Sequence, residues 1–365
     1  MARLSHSAAN KFLTCGEMYR LHYHEKLRPL GISSSLVFGK SIDKALEAML
    51  TDQDYKQVFL DTWLQQEVNG NMEYLDKHAD LIYFKSDLDE GLLSLDDLAL
   101  LEEERPPMVA DLAQAKSLLN QAAFKVVSLK VLEYYNYACW LSLRAKGLLM
   151  LQAYERDIKP RIKKVIAIQK LIKLESTDGD EVVGYIDLIA ELDTGEIAIL
   201  DNKTAGRPYE EDKVKTSSQL ALYSYAIEEE IPHTKCGYLV MVKKINKNYK
   251  KTCVVCGTIN ESSHKTCPES ENGKRCGGEF NLEPDFYCQT QFIIDDIPDR
   301  TKHMVVENFN MVNKAIKAEI FTKNLEKCDD YFGSRCPFYD KCHSGSDEGL
   351  HTDGEIKTES VEEIT

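Results

Sequence analysis

Two hydrophobic rhythms divide the chain. From Ser7 to about Ile158 the apolar residues recur mostly at helical spacing, as at Phe38, Ile42, Ala45 and Met49, and β-branched runs are few. This spacing predicts a helical N-terminal region over 1–158. At Lys163 the rhythm shortens. VIAIQKLIKL, VVGYIDLIAEL and EIAILDNK read as strands, with Asp178-Gly179-Asp180 and Asp193-Thr194-Gly195 turning between them. A helical stretch, SSQLALYSYAIEEE, then runs up to Pro232, and GYLVMVKKI is strand-like again. The alternation predicts an α/β core over 159–249. Residues 250–282, with four cysteines and several glycines, read as an insertion, and QFIIDDI resumes the core over 283–345. A helix is expected over Lys302–Leu325, a cysteine-rich segment follows to Cys342, and the acidic end, 346–365, is expected to be disordered.

Composition changes this picture little, because 43% hydrophobic and 29% charged residues are ordinary for a globular chain. No apolar run reaches about 18 residues, and MARLSHSAANK lacks the apolar stretch of a signal peptide, so a soluble, cytoplasmic protein is expected. Charge changes it more. The net charge of −15 speaks against phosphate binding, but Asp87–Arg105 and Ser346–Thr365 together carry −13 of it. Elsewhere Lys159–Lys173 holds six bases and Lys243–Lys251 five, with no acid in either. Each stretch fits either a phosphate backbone or a solvated strand face. Gly39-Lys40-Ser41 is not a phosphate loop, since Ser34 stands where that motif requires glycine.

The chemistry begins with two acids in apolar strands. An unpaired buried carboxylate costs several kcal/mol, so Asp187 and Asp201 need partners. If Asp193-Thr194-Gly195 is a three-residue hairpin loop, Leu192 faces Glu196 and Asp187 comes opposite Asp201, with Lys203 on the same face. Two carboxylates and a lysine so placed fit either a structural salt bridge or a hard divalent cation, Mg²⁺ or Mn²⁺. The second fits phosphodiester hydrolysis, with Lys203 countering developing charge.

With these residues in place, GYID followed by ILDNKT resembles the PD-(D/E)XK signature of the RecB-like exonucleases. Gln219 and Tyr223 resemble that family's Q-x3-Y motif, LSHSAANKFLTCGEMYRLHY its opening segment and FGKSIDKALEAML its G-x3-H helix. The resemblance implies a restriction-endonuclease-like core, a mixed sheet flanked by helices. It also implies catalytic roles for Asp187, Asp201, Lys203, Gln219 and Tyr223, and a metal held by Asp43, Asp187, Asp201 and the carbonyl of Asn202. Three positions depart from the pattern: Asp43 replaces a histidine, Asn202 an aromatic residue and Gln169 a frequent glutamate. The function it implies is a metal-dependent DNA exonuclease, favouring single-stranded DNA, in recombination, repair or replication, with a separate helicase or recombination protein as partner. The alternative is a catalytically silent DNA-binding or scaffold subunit of a helicase–nuclease complex.

Cysteines supply two further constellations. Cys253-x2-Cys256-Gly has zinc-knuckle spacing, and Cys267 with Cys276-Gly-Gly reads as a second, widened knuckle. Zn²⁺ would fold the insertion as a zinc ribbon, with His264 as a competing ligand; the alternative is a flexible loop of free thiols. Cys15 with Cys328, Cys336 and Cys342 resembles the one-plus-three arrangement of the iron–sulfur exonucleases of the AddB and CRISPR-adaptation type. That likeness implies a [4Fe–4S] cluster clasping the chain ends, with zinc at the same thiolates as the alternative. Cys139, Cys236 and Cys288 fit neither group and read as buried structural thiols.

Overall fold

The helical stripe over Phe38–Met49 and the strand runs after Lys163 meet as predicted, with helices packed on both faces of a curled mixed sheet. The computed structural model describes residues 3–29, 34–68, 129–175, 181–232, 234–260, 264–268, 270–271, 274–329, 331 and 335–352. In chain order these form β1 (Arg3–Ser5), α1 (His6–Thr14), α2 (Gly16–Tyr19), a π-helical turn (Arg20–His24), β2 (Leu27–Pro29), α3 (Ser34–Leu50), α4 (Tyr55–Val68) and α5 (Leu129–Asp157). There follow β3 (Ile162–Glu175), β4 (Glu181–Leu192), β5 (Ile197–Ala205), α6 (Ser218–Ile227), β6 (Lys235–Cys253), β7 (Ile259–Asn260), β8 (Ser270–Glu271) and β9 (Lys274–Arg275). The chain ends with β10 (Phe280–Asp295), α7 (Asp299–Lys317), α8 (Tyr339–Ser344) and β11 (Leu350–Thr352). The part of the expected N-terminal helical region at 69–128 lies outside the described residues.

The sheet runs β1-β4-β5-β6-β10, with β3 also on β4 and β7 also on β6. β1 is parallel to β4 and β5 to β6, while the other pairs are antiparallel. β3 follows one edge of β4 along its length. The other edge is shared: β5 covers Leu188–Glu191 and β1 covers Glu181–Val183. Residues 184–187 are left between the two, a gap in the ladder. Helices α3, α4 and α5 cover one sheet face, burying Phe38, Ile42, Met49, Phe59, Trp63 and Tyr154 against Leu188, Ala190, Leu200 and Leu239. Helices α1, α6 and α7 cover the other, where Leu220, Tyr223 and Phe309 meet Ile186, Ile189, Ile199 and Val240. Each such side chain removed from water contributes on the order of 1.5–3 kcal/mol.

The structure departs from the sequence expectation in four places. β1 belongs to the sheet, so the N-terminal region is not wholly helical. β6 continues unbroken to Cys253, so the insertion grows from the ends of two long strands. α7 stops at Lys317, where Glu319 turns left-handed (φ 54°) and the Ile320 N–H reaches back to the Ala315 carbonyl at 2.9 Å. The acidic end is structured as far as β11, which pairs antiparallel with β2; residues 353–365 lie outside the described ones. No helix among the described residues is long and apolar enough to cross a membrane.

The chain ends are joined a second time beside α2. Glu17 N–H donates to the Thr322 carbonyl (3.2 Å), and Asn324 Nδ2 donates to the Thr14 carbonyl (3.0 Å). Gly16 permits this approach, since a Cβ there would lie 2.6 Å from Thr322 N.

Candidate active site and cysteine clusters

The β4–β5 hairpin has the register read from its loop. Gly195 has φ 86°, Leu192 N–H donates to the Glu196 carbonyl at 2.9 Å, and the ladder runs from Glu191↔Ile197 to Leu188↔Leu200. One step further faces Asp187 to Asp201, but there the ladder stops. Asn202 N–H donates instead to Asp187 Oδ2 at 3.0 Å. The alternation of β4 also slips: Val182 and Ile186 face α6, whereas Leu188 and Ala190 face α5. On β3 the residue opposite Asp187 is Gln169, whose φ of 49° lies in the left-handed region. That conformation costs a non-glycine residue about 1–2 kcal/mol. The Gln169 side chain hydrogen-bonds Asp187. Asp187 therefore sits at the mouth of the gap between β1 and β5, not in a regular cross-strand pair.

Asp201 is 1% exposed. Its Oδ2 meets Lys203 Nζ at 2.6 Å, while its Oδ1 has no hydrogen-bond partner. Lys203 Nζ also donates to Gln219 Oε1 (3.2 Å), and Gln219 Nε2 donates to Tyr223 OH (3.0 Å). Ser217 starts the helix carrying that pair, its hydroxyl accepting from Leu220 N–H at 3.1 Å. Asp43 comes across from α3. It is open to solvent, yet recessed enough that dehydration, then the charges of Asp187 and Asp201, raise its pKa to about 7. Burial raises Asp201 to about 7 against the pull of Lys203, and burial also raises Asp187. Desolvation opposes the charge of Lys203, but the two aspartates overcome it and raise its pKa. The Asn202 side chain alternates to the α5 side, away from Asp201, where its buried Oδ1 lacks a hydrogen-bond partner.

Three carboxylates held above their ordinary range, one with an orphaned buried oxygen, form a donor set short of positive charge. A hard divalent cation fits that set. Spacing gave no hint of two neighbours. Tyr154 of α5, an ordinary core position in the helical stripe, brings a buried hydroxyl without a hydrogen-bond partner into the field of Asp187. His6, inside the opening segment, lies 3.0 Å from Ser218 Oγ and 3.1 Å from Asn10 Nδ2. Burial, then the Lys203 charge, lowers its pKa to about 4, leaving a neutral ring beside that lysine.

The cysteines fall into the two expected groups. The Sγ atoms of Cys253, Cys256, Cys267 and Cys276 all lie within 4.8 Å of one another, without His264. Cys253–Cys276 and Cys256–Cys267 are each 3.6 Å apart. Four bonds of about 2.3 Å to one zinc ion would give sulfur–sulfur edges of roughly 3.8 Å. Gly257 (φ 72°) and Gly277 (φ 66°) make the turns, and Val255 N–H donates to Cys253 Sγ at 3.4 Å. Contacts with the Thr258 hydroxyl and backbone pull the Cys256 thiol down to about 6, into the range of a ligand thiolate. Cys15, Cys328, Cys336 and Cys342 instead surround a cavity also lined by Met18 and Phe338. Asn324 N–H donates to Cys15 Sγ at 3.5 Å, and burial, followed by Glu17 and the other thiols, raises Cys342 to about 11. Cys236 and Cys288 are packed in the two cores, while the Cys139 side chain lies outside the described residues.

The fold and this site define a nuclease class. The sequence profile of the PD-(D/E)XK nuclease superfamily matches residues 3–343, and the chain belongs to that superfamily. Membership implies DNA binding and metal-dependent nucleic-acid cleavage, and nucleases of this superfamily use divalent metals. No curated protein matches the chain.

The raised carboxylates give the metal-free protein a defined pH response. Between the ordinary aspartate pKa of 3.8 and about 7, native Asp201 is protonated while the unfolded group is ionised, so stability falls as pH rises through that window. Asp201→Asn removes this penalty. Its melting temperature without metal should exceed that of the wild type by several degrees at about pH 8, with the difference vanishing near pH 4. Thermal unfolding across that range checks it, and a parallel pair of curves would contradict it.

Proposed function

We propose that the protein is a Mg²⁺- or Mn²⁺-dependent deoxyribonuclease acting as an exonuclease with a preference for single-stranded DNA. The observation that carries the reading is the convergence of Asp187, Asp201 and Lys203 at the gap in the β4 edge. Asp43, Asp187, Asp201 and the Asn202 carbonyl would hold the ion, which when bound polarises the phosphate and lowers the pKa of water. Asp201 and Gln219 hold Lys203 from two sides and aim its ammonium at the charge that develops on the phosphate. Tyr223, hydrogen-bonded to Gln219, fixes that glutamine. The exonuclease mode and strand preference are supported by the motifs resembling the RecB-like exonucleases. Residues 159–249 and 283–345 then act as one nuclease core, interrupted by a zinc ribbon over 250–282.

The same reading places a [4Fe–4S] cluster at Cys15, Cys328, Cys336 and Cys342. A ring of thiols around a cavity suits a cluster, whose four ligands stand further apart than those of one zinc ion. Closing a loop of over 300 residues, the cluster would act as a cross-link does on the unfolded chain, in addition to the hydrogen bonds at Thr322 and Asn324.

End-labelled single- and double-stranded DNA with added Mn²⁺ tests the nuclease. The wild type should shorten the single strand faster, and Asp201→Ala or Lys203→Ala should lower the rate by at least about 100-fold while circular dichroism stays native. Undiminished cleavage by folded Asp201→Ala contradicts the site, and a wild type that binds DNA without cutting it would be a silent binding subunit. Metal analysis tests the clusters. Anaerobically purified protein should contain iron and sulfide together with one zinc, and Cys342→Ser should lose the iron and melt at lower temperature. Zinc in place of iron at these thiolates overturns the iron–sulfur assignment.

A further inference from the structure

β6 and β10 outrun the rest of the sheet. β5 leaves β6 at Ala205↔Val242, but β6 and β10 stay paired from Ile245↔Cys288 to Cys253↔Phe280. The result is a two-stranded arm about 27 Å long, at about 3.4 Å per residue, capped by the four-cysteine knuckle. The register sorts its side chains, because paired residues share a face and alternate along each strand. Lys247, Tyr249 and Lys251 share one face with Leu282, Phe286 and Cys288. Asn246, Asn248 and Lys250 share the other with Glu283, Asp285 and Tyr287. Both acids of the paired β10 segment thus stand on the second face, where Glu283 is directly opposite Lys250.

The first face combines positive charge with exposed apolar surface. Tyr249 is 51% exposed and Leu282 53%. Lys247 Nζ lies 5.3 Å from the Tyr249 ring centre and 5.4 Å from that of Phe286. The face lies on the α3–α5 side of the sheet, the side from which Asp43 approaches, whereas Lys203, level with Val240, is on the α6 side. At the base of the face Lys243 lies over the Phe38 ring at 5.1 Å, and Phe38 precedes Asp43 by five residues on α3, about 7.5 Å of helix axis. Lys203 is level with Val240, so Lys251 lies about 36 Å of strand contour beyond it.

We infer that this face is a strand guide, along which a single DNA strand lies on its way to or from the site. Lys243, Lys247 and Lys251 meet its phosphates and Tyr249 stacks on a base. The inference rests on the nuclease reading of the site. The occupant follows from the pairing of chemistries: lysines repeating every four residues answer a polyanion, and an exposed ring among them answers bases whose faces are free, which a duplex does not offer.

Anisotropy without added divalent metal tests it, using the full chain and labelled strands of about 5 and about 25 nucleotides, the shorter unable to span site and arm. Lys247→Ala combined with Lys251→Ala should weaken binding of the long strand at least about tenfold and reduce its log–log salt slope by about 1.4, two contacts at about 0.7 each. Tyr249→Ala should weaken it by a similar factor with the slope unchanged. Lys250→Ala, on the opposite face, should change neither. Binding of the short strand, and its cleavage in Mn²⁺, should be unaltered in every variant. Zinc content and melting temperature report whether the arm is intact, and Tyr249→Ala decides the matter if the double variant loses zinc. Long-strand binding that survives both the double variant and Tyr249→Ala overturns the guide and leaves the face to another occupant, such as an acidic protein. An equal loss on short and long strands also overturns it. If the wild type cuts no DNA, the nuclease reading fails while the binding comparison still decides the arm.

Discussion

A carboxylate taken out of water beside a second one is the constraint on which this structure turns. Asp201 is enclosed by apolar strands, and only one of its oxygens reaches Lys203. A hydrophobic sheet would be more stable with leucine there. The cost is compounded by its surroundings. On the edge shared by β1 and β5 neither strand pairs with β4 at residues 184–187, Gln169 adopts a left-handed backbone opposite Asp187, and Asn202 N–H turns from a strand partner to a carboxylate. Each is a local loss, and all of them converge on one point. A charge deficit assembled at that expense has a simple remedy, a bound cation, and the superfamily to which the chain belongs uses one.

The rest of the chain keeps that point rigid and reachable. Two cores hold β4 and β5 from opposite faces, α3 bringing Asp43 over one side and α6 bringing Gln219 and Tyr223 over the other. The first and last described segments meet at β2–β11 and at Thr322, which ties His6 and α1 against the Lys203 side of the sheet. The long β6–β10 arm then extends from the same sheet with its charges divided between two faces, so a surface suited to holding a strand grows from β6, the neighbour of the β5 strand that carries Asp201 and Lys203.

Much of this was legible in residue order, because strand and helix periods are local. The turn at Asp193-Thr194-Gly195 set the register that brings Asp187 level with Asp201, and the stripe Phe38–Met49 set the side from which Asp43 approaches. What sequence could not supply came from non-local packing. The slip of β4 at Asp187 depends on β1 and β5 sharing one edge, and nothing in a five-residue window reveals β1 as a sheet strand. Tyr154 and His6 reach the site through helix packing alone. The acidic end misled for a similar reason: charge predicts solvation, but Leu350–Thr352 needs only the free edge of β2 to become a strand.

The proposed site makes a divalent cation the partner of the Asp43, Asp187 and Asp201 carboxylates, which burial raises. Titration of Mn²⁺ into the protein, with proton release followed calorimetrically in buffers of different ionisation enthalpy, addresses it directly. Saturable binding at about pH 6 should release protons from the site, binding at about pH 8.5 should release almost none, and Asp201→Asn should weaken both. Binding that releases no protons at the lower pH and is indifferent to Asp201→Asn would contradict the account.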